Sequence, residues 1–64
     1  MAMKYSLIGI DGNAFSVMGY VRRAMAKEGC SKQAIDDYLK RAMSSDYNNL
    51  LIVSIEMVDS LNNM

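Results

Sequence analysis

The junction at Asp11-Gly12-Asn13 most strongly constrains what this chain can fold into. An apolar stretch ends there, and a long amphipathic pattern begins. Glycine tolerates positive φ angles and aspartate hydrogen-bonds to nearby backbone, so Asp11 and Gly12 predict a turn. The side-chain oxygen of Asn13 is suited to accept from an otherwise unpaired N–H group in the first turn of a helix. We therefore expect an extended segment, a turn, and a helix that begins at Asn13.

Residues 3–10 are predicted to form a strand. Tyr5 and Leu7 alternate with Lys4 and Ser6, as the two faces of a strand require, although the pattern is imperfect farther along. A single strand leaves its backbone N–H and C=O groups without partners. We expect those partners to come from another strand of the chain, from a second copy, or from the sheet edge of a target.

Three helices are predicted from the spacing of the apolar residues. Their ranges are 13–28, 31–44 and 46–61, and Ser31 and Asp46 are the N-caps of the second and third. The predicted buried stripe of the second helix is Ile35, Tyr38, Leu39, Ala42 and Met43. The predicted fold class is α+β, mostly α, with one short N-terminal strand followed by three packed helices.

Two glycines mark the first helix. Gly29 is suited to end it in a left-handed conformation. Gly19 lies inside it, where glycine costs up to about 1 kcal/mol relative to alanine. We interpret Gly19 as a sign that a neighbouring element approaches the helix closely.

The third helix is apolar around more than half of its circumference. Its main face consists of Leu50, Val53, Met57 and Leu61, widened by Leu51 and Val58. Ile52 and Ile55 lie further round, so this helix is either central to the domain or shared with another subunit. Ile52 and Ile55 are therefore candidates for self-association in a homodimer. An alternative is that residues 50–55 form a buried strand that pairs with residues 4–9.

The length and the residue types argue against a chemical role. The chain has 64 residues, and residues 1–64 are predicted to form a single small domain. Met1 and Ala2 are interpreted as a vector-derived addition before Met3. A domain of this size buries about 60% of its unfolded surface and is marginally stable. Cys30 is the only cysteine and there is no histidine. We expect no disulfide, metal site, cofactor or catalytic residue, and hence no enzyme, which leaves oligomerisation as a means of stabilisation.

The charges balance overall but not along the chain. The net charge is zero, with +3 in residues 1–35 and −3 in residues 36–64. This asymmetry is consistent with steering of a partner or antiparallel self-association, although solvated helix faces are the simpler interpretation. We predict no membrane-spanning segment and no signal peptide, and we expect the chain in the cytoplasm of a bacterial host.

Five residues of the first helix are candidates for binding a partner, and these are Phe15, Tyr20, Arg22, Arg23 and Lys27. Phe15 lies roughly 120° from the centre of the apolar stripe, so it is either an exposed anchor or packs beneath the strand or the third helix. The three cations next to Tyr20 are a basic cluster, with a solvated face as the alternative. Because the chain is neutral, nucleic acid is not expected as a partner.

The sequence also resembles a set of short uncharacterised proteins from phages, prophages and bacterial mobile elements. The resemblance rests on Leu7-Ile8-Gly9-Ile10-Asp11-Gly12-Asn13-Ala14-Phe15, on Met18-Gly19, and later on Ala42-Met43-Ser44, Asp46-Tyr47-Asn48 and Leu50-Leu51. It covers the chain from about Tyr5 to about Val58. The resemblance implies a genomic setting and supplies no functional residues.

A binding function is the leading hypothesis. We expect a small non-enzymatic protein that binds a host or phage protein. By analogy with other small mobile-element proteins, it is interpreted as a modulator that inhibits a host defence complex such as CRISPR–Cas by occluding a protein surface. The alternatives are a self-assembling structural or accessory protein and a small nucleic-acid-associated regulator.

Overall fold

The protein is a bundle of three helices. The computed structural model describes residues 4–63. In chain order the helices are α1 (Ala14–Lys27), α2 (Lys32–Ala42) and α3 (Tyr47–Asn62), and each packs against the other two. The prediction of packed helices is confirmed, and the observed ends differ from the predicted ranges of 13–28, 31–44 and 46–61 by one or two residues.

Side chains immediately before each helix cap its first turn. The Asn13 side chain accepts from the backbone N–H of Phe15 at 2.8 Å. Ser31 Oγ accepts from the N–H of Ala34 at 3.1 Å, and Asp46 Oδ1 accepts from that of Asn49 at 3.0 Å. Each cap supplies a partner to an N–H group that the helix itself cannot satisfy.

A Schellman motif ends α1. Gly29 has a φ angle of +85°, which glycine adopts without steric cost. The N–H of Cys30 donates to the carbonyl of Met25 at 2.9 Å, and the N–H of Gly29 donates to that of Ala26 at 3.1 Å. This arrangement turns the chain sharply toward α2.

The predicted N-terminal strand is wrong. Residues 4–10 contain no strand, and the first residue of the prediction, Met3, lies outside the described part. The N–H of Ile10 donates to the carbonyl of Leu7 at 3.2 Å, and Gly9 has a φ angle of +85°. These are the features of a tight turn with glycine at its third position. Over residues 4–63 the fold is therefore all-α rather than α+β.

A side chain supplies the partners that a strand would have needed. The Tyr5 N–H donates to Asn62 Oδ1 at 2.9 Å, and Asn62 Nδ2 donates to the Tyr5 carbonyl at 2.9 Å. The Ser6 N–H donates to Tyr20 Oη at 3.1 Å. The extended segment is thus attached to the C-terminal end of α3 and to the middle of α1 without any sheet.

The alternative strand at residues 50–55 is also wrong, because these residues lie within α3. The buried apolar core is Tyr5, Val17, Met18, Val21, Ala24, Met25, Tyr38, Ala42, Leu50, Val53, Val58 and Leu61. Ser54 is fully buried among them, and its hydroxyl shares a hydrogen bond of 2.6 Å with the hydroxyl of Tyr38. This bond joins α2 to α3 inside the core.

Candidate protein-binding surfaces

Among the described residues, the aromatic side chain with the highest exposed fraction lies where α1 begins. Phe15 is 79% exposed, so it does not pack beneath α3 or the N-terminal segment. Met43 and Tyr47 are exposed nearby, one just after α2 and the other at the start of α3. Phe15, Met43 and Tyr47 line a common surface, which we call the Phe15 face.

Local geometry fixes the position of Phe15. Its own N–H is held by the Asn13 cap. Its neighbours Val17 and Met18 are buried, so the first turn of α1 cannot rotate without disturbing the core. Tyr47 Oη donates to the carbonyl of Gly12, which ties the turn before α1 to the start of α3. Phe15 is therefore presented on a rigid support.

Open grooves lie on both sides of Phe15. One, of about 340 Å³, runs between α1 and α2 and is lined by Phe15, Met18, Gly19, Arg22, Leu39 and Met43. The other, of about 300 Å³, extends from Phe15 past Met43 to Tyr47. The close approach expected at Gly19 is absent, because among residues 4–63 no atom of another element lies within 4 Å of where a Cβ would stand. Gly19 instead leaves the floor of the first groove open.

The structure divides the five predicted partner-binding residues between two places. Arg22 lines the groove beside Phe15. Tyr20, Arg23 and Lys27 line a different groove of about 270 Å³ on another side of α1. The basic residues therefore do not form one stripe with Phe15.

Tyr20 has a structural role in this arrangement. Its hydroxyl accepts from the N–H of Ser6, and its ring and that of Tyr5 form a T-shaped pair with the ring centres 6.5 Å apart. Edge-to-face contact at this separation is favourable. Tyr20 thus helps to hold the N-terminal segment on α1.

A second apolar surface lies on the outer side of α3. Ile52 and Ile55, the predicted self-association residues, are 59% and 57% exposed. Ile55 lines a groove of about 370 Å³ between α3 and residues 5–8, together with Ile8. Ile8 is 88% exposed, at a turn. It is absent from the predicted binding residues because the sequence pattern placed it in a strand.

A polar cluster anchors the N-terminal segment to the end of α1. Tyr5 Oη donates to Glu28 Oε2 at 2.6 Å, and Lys4 Nζ lies 3.4 Å from Glu28 Oε1. The hydrogen bond to Glu28 is the main cause that raises the pKa of Tyr5 to about 12. The same bond, with help from Lys4, lowers the pKa of Glu28 below its usual value. The cluster is an anchor rather than an acid–base pair poised near neutral pH.

Two further findings concern metal ions and membranes. Among residues 4–63, no group of three or more His, Cys, Asp or Glu side chains is placed to hold a metal ion. Over the same range, no helix has the length and apolar character needed to cross a bilayer.

Comparison with protein-family models, curated proteins and solved structures gave no match to this chain.

Proposed function

We propose that this chain is a non-enzymatic protein-binding module and that the Phe15 face binds its partner. The observation that carries the proposal is the 79% exposure of Phe15 on a capped, tightly packed helix. A phenylalanine on a fixed backbone has only two side-chain torsions to lose when a partner covers it, so its burial costs little conformational entropy.

The surroundings of Phe15 suit a protein partner. Burial of a phenylalanine side chain is worth about 1.5–3 kcal/mol, and the grooves on each side accept apolar groups from the partner. Met43 is flexible and polarisable, so it adapts to the shape of what binds. The Phe15 face thus combines one aromatic anchor on a fixed helix with an adaptable edge.

Arg22 suggests the chemistry of the partner. It lines the groove between α1 and α2, where the other lining residues carry no charge. An apolar segment with an acidic side chain next to its inserted residue matches this groove, because arginine binds carboxylates in a bidentate geometry. We therefore propose a partner segment that is apolar and acidic.

The narrower hypothesis is a phage or mobile-element modulator that occludes a surface of a host defence complex. Its support is the resemblance carried by residues 7–15, with the zero net charge opposing dense mimicry of DNA. A nucleic-acid-associated regulator has less support, because Arg22 lies in a different groove from Arg23 and Lys27.

The test is a photo-crosslinking capture from host lysate with a benzophenone amino acid in place of Met43. A specific partner gives one crosslinked band that mass spectrometry identifies. The band should weaken at least tenfold in Phe15→Ala and several-fold in Arg22→Ala. The matched control is Ile8→Ala, which removes an equally exposed apolar side chain from a different surface.

Binding of the identified partner is then measured by calorimetry with purified proteins. An affinity that Phe15→Ala leaves unchanged contradicts the proposal, as does the absence of any crosslink that depends on Phe15. Circular dichroism of each variant shows that the helices remain folded.

A further inference from the structure

The outer ridge of α3 consists of four residues with regular spacing. Asn48, Ile52, Ile55 and Asp59 follow one another at intervals of four, three and four. All four are exposed, and they lie within about 60° of each other around the helix axis. This spacing is that of the seam along which two helices pack in a coiled coil.

We propose that α3 pairs with α3 of a second copy of this chain, antiparallel, about a two-fold axis that passes between Ile52 and Ile55. In this register Ile52 of each copy packs on Ile55 of the other. Asn48 of each copy lies opposite Asp59 of the other. The same patch therefore meets itself, as a two-fold interface requires.

Polar groups select the antiparallel orientation. A parallel pair in register would place Asp59 opposite Asp59, which brings two carboxylates together without a cation. The antiparallel pair places the amide of Asn48 opposite that carboxylate, and an amide N–H is a good donor to it. Within the described residues, neither side chain makes a hydrogen bond, so both are available.

Glu56 does not oppose this pairing. It lies beside the ridge, with Oε1 3.7 Å from Arg41 Nη2 of the same chain. The contact is exposed and contributes little to stability, but it places a cation next to the acid. The ridge itself then presents only one uncompensated charge, that of Asp59.

The groove beside Ile55 enlarges the apolar contact. Ile8 and Ile55 line it, and a second copy that packs Ile52 on Ile55 also reaches Ile8. The three isoleucines are 57% to 88% exposed and form the apolar centre of the interface. A standard stable interface buries about 800 Å² per partner, and one short helix seam buries less. The dimer is therefore expected to be weak and to dissociate on dilution.

The proposal is tested by sedimentation equilibrium over a range of concentrations. The expected mass rises from the 7.1 kDa of one chain toward twice that value. Asn48→Asp places two carboxylates opposite each other at two symmetric sites and should weaken the dimer about threefold to tenfold. Asn48→Lys should strengthen it by a similar factor. Ile55→Asp should leave only the monomer.

The direction of these effects separates pairing from folding. Asn48 is the second residue of α3, where an acid favours the helix and a lysine opposes it. The effects on the dimer are thus opposite to those on helix stability. Gln33 is the matched control, since it is exposed and is the second residue of α2. Gln33→Asp should leave the dimer unchanged.

Exchange of the two polar partners tests the register. The double variant with Asn48→Asp and Asp59→Asn restores an amide opposite a carboxylate and should return the dissociation constant to within about twofold of the original. A chain that remains monomeric at millimolar concentration overturns the proposal. So does a dimer that Phe15→Ala dissociates and Ile55→Asp does not. The first result leaves partner binding at the Phe15 face untouched, whereas the second places self-association on that face.

Discussion

The side chain of Asn62 binds both backbone groups of Tyr5, as donor to its carbonyl and acceptor from its N–H, each at 2.9 Å. The amide imitates the backbone of an adjacent strand. It satisfies one residue of an extended segment at the point where α3 ends. This side chain, which lies 57 residues further along the chain, therefore joins the N-terminal segment to the end of α3.

Asn62→Ala should lower the free energy of unfolding by about 1–2 kcal/mol, because two partly buried hydrogen bonds are lost. Urea unfolding followed by circular dichroism measures this. Asn62→Asp should cost at least as much, since a carboxylate cannot donate to the Tyr5 carbonyl. Gln33→Ala, at an exposed helical site, should change stability by less than about 0.5 kcal/mol. Equal losses in Asn62→Ala and Gln33→Ala would contradict the importance of this contact.

The buried hydroxyl pair should show energetic coupling. Tyr38→Phe leaves Ser54 without its partner in the core and should cost about 1–3 kcal/mol. Ser54→Ala should cost a similar amount, because the Tyr38 hydroxyl is then buried alone. The double variant should be less destabilised than the sum of the two. A double-mutant cycle by urea unfolding checks this, and strict additivity would argue against the bond.

The Tyr5–Glu28 contact predicts losses of stability at both extremes of pH. Glu28 has a pKa below its usual value of 4.5 in the folded state, so its contribution is present above that value and is lost as the pH falls through the folded pKa. The pKa of Tyr5 is raised from 10.0 to about 12, so its contribution is complete below pH 10 and is lost as the pH rises through 12.

Spectrophotometric titration of the tyrosines measures the alkaline side. Tyr5→Phe should remove one ionisation near pH 12 from the curve. Glu28→Gln should move that ionisation toward lower pH, because the carboxylate no longer accepts from the hydroxyl. A titration curve that Glu28→Gln leaves unchanged would show that the two groups are not coupled.

The two glycines Gly19 and Gly9 should respond to alanine in opposite ways. Gly19→Ala should stabilise the protein by about 0.5–1 kcal/mol, because alanine favours the helix and, in the described part of the chain, its Cβ meets no atom of another element within 4 Å. Gly9→Ala should destabilise it, since φ is +85° there. Thermal unfolding distinguishes the two. Destabilisation by Gly19→Ala would mean that the groove floor is closed in solution.

Local signals predicted the helices well. Asn13, Ser31 and Asp46 act through hydrogen bonds to residues two or three positions away, so their caps could be read from the sequence. Gly29 ends α1 for the same local reason. Interactions within one turn of a helix depend little on the rest of the fold.

The strand prediction is wrong because a distant residue, and not a second strand, supplies the hydrogen-bond partners of Tyr5. The apolar residues Leu7, Ile8 and Ile10 indicate an extended run. Gly9 instead allows a turn, and Asn62 binds the backbone of Tyr5 just before it. No local pattern indicates that an asparagine at the end of α3 reaches back to Tyr5. A contact between side chain and backbone across 57 residues leaves no periodic trace in the sequence.

The candidate surfaces were only partly predictable. Periodicity places Phe15 off the centre of the apolar stripe, but whether another element covers it depends on tertiary packing. Met43 was assigned to the buried stripe of the second helix, yet α2 ends at Ala42 and Met43 is 58% exposed. Because α2 ends one residue before Met43, this side chain is exposed and not part of the buried stripe.

The link between Tyr5 and Asn62 also has a kinetic consequence. The helices supply nearly all of the buried apolar core, whereas Tyr5 and Ser6 are held to them by a few partly buried hydrogen bonds, so the link should open more readily than the helices. Amide hydrogens of residues 5 and 6 should then exchange with solvent through a local opening that leaves the three helices intact. Such an opening would move Leu7 and Ile8 away from Ile55, so the groove beside Ile55 should persist only while residues 5 and 6 stay bound to Asn62 and Tyr20.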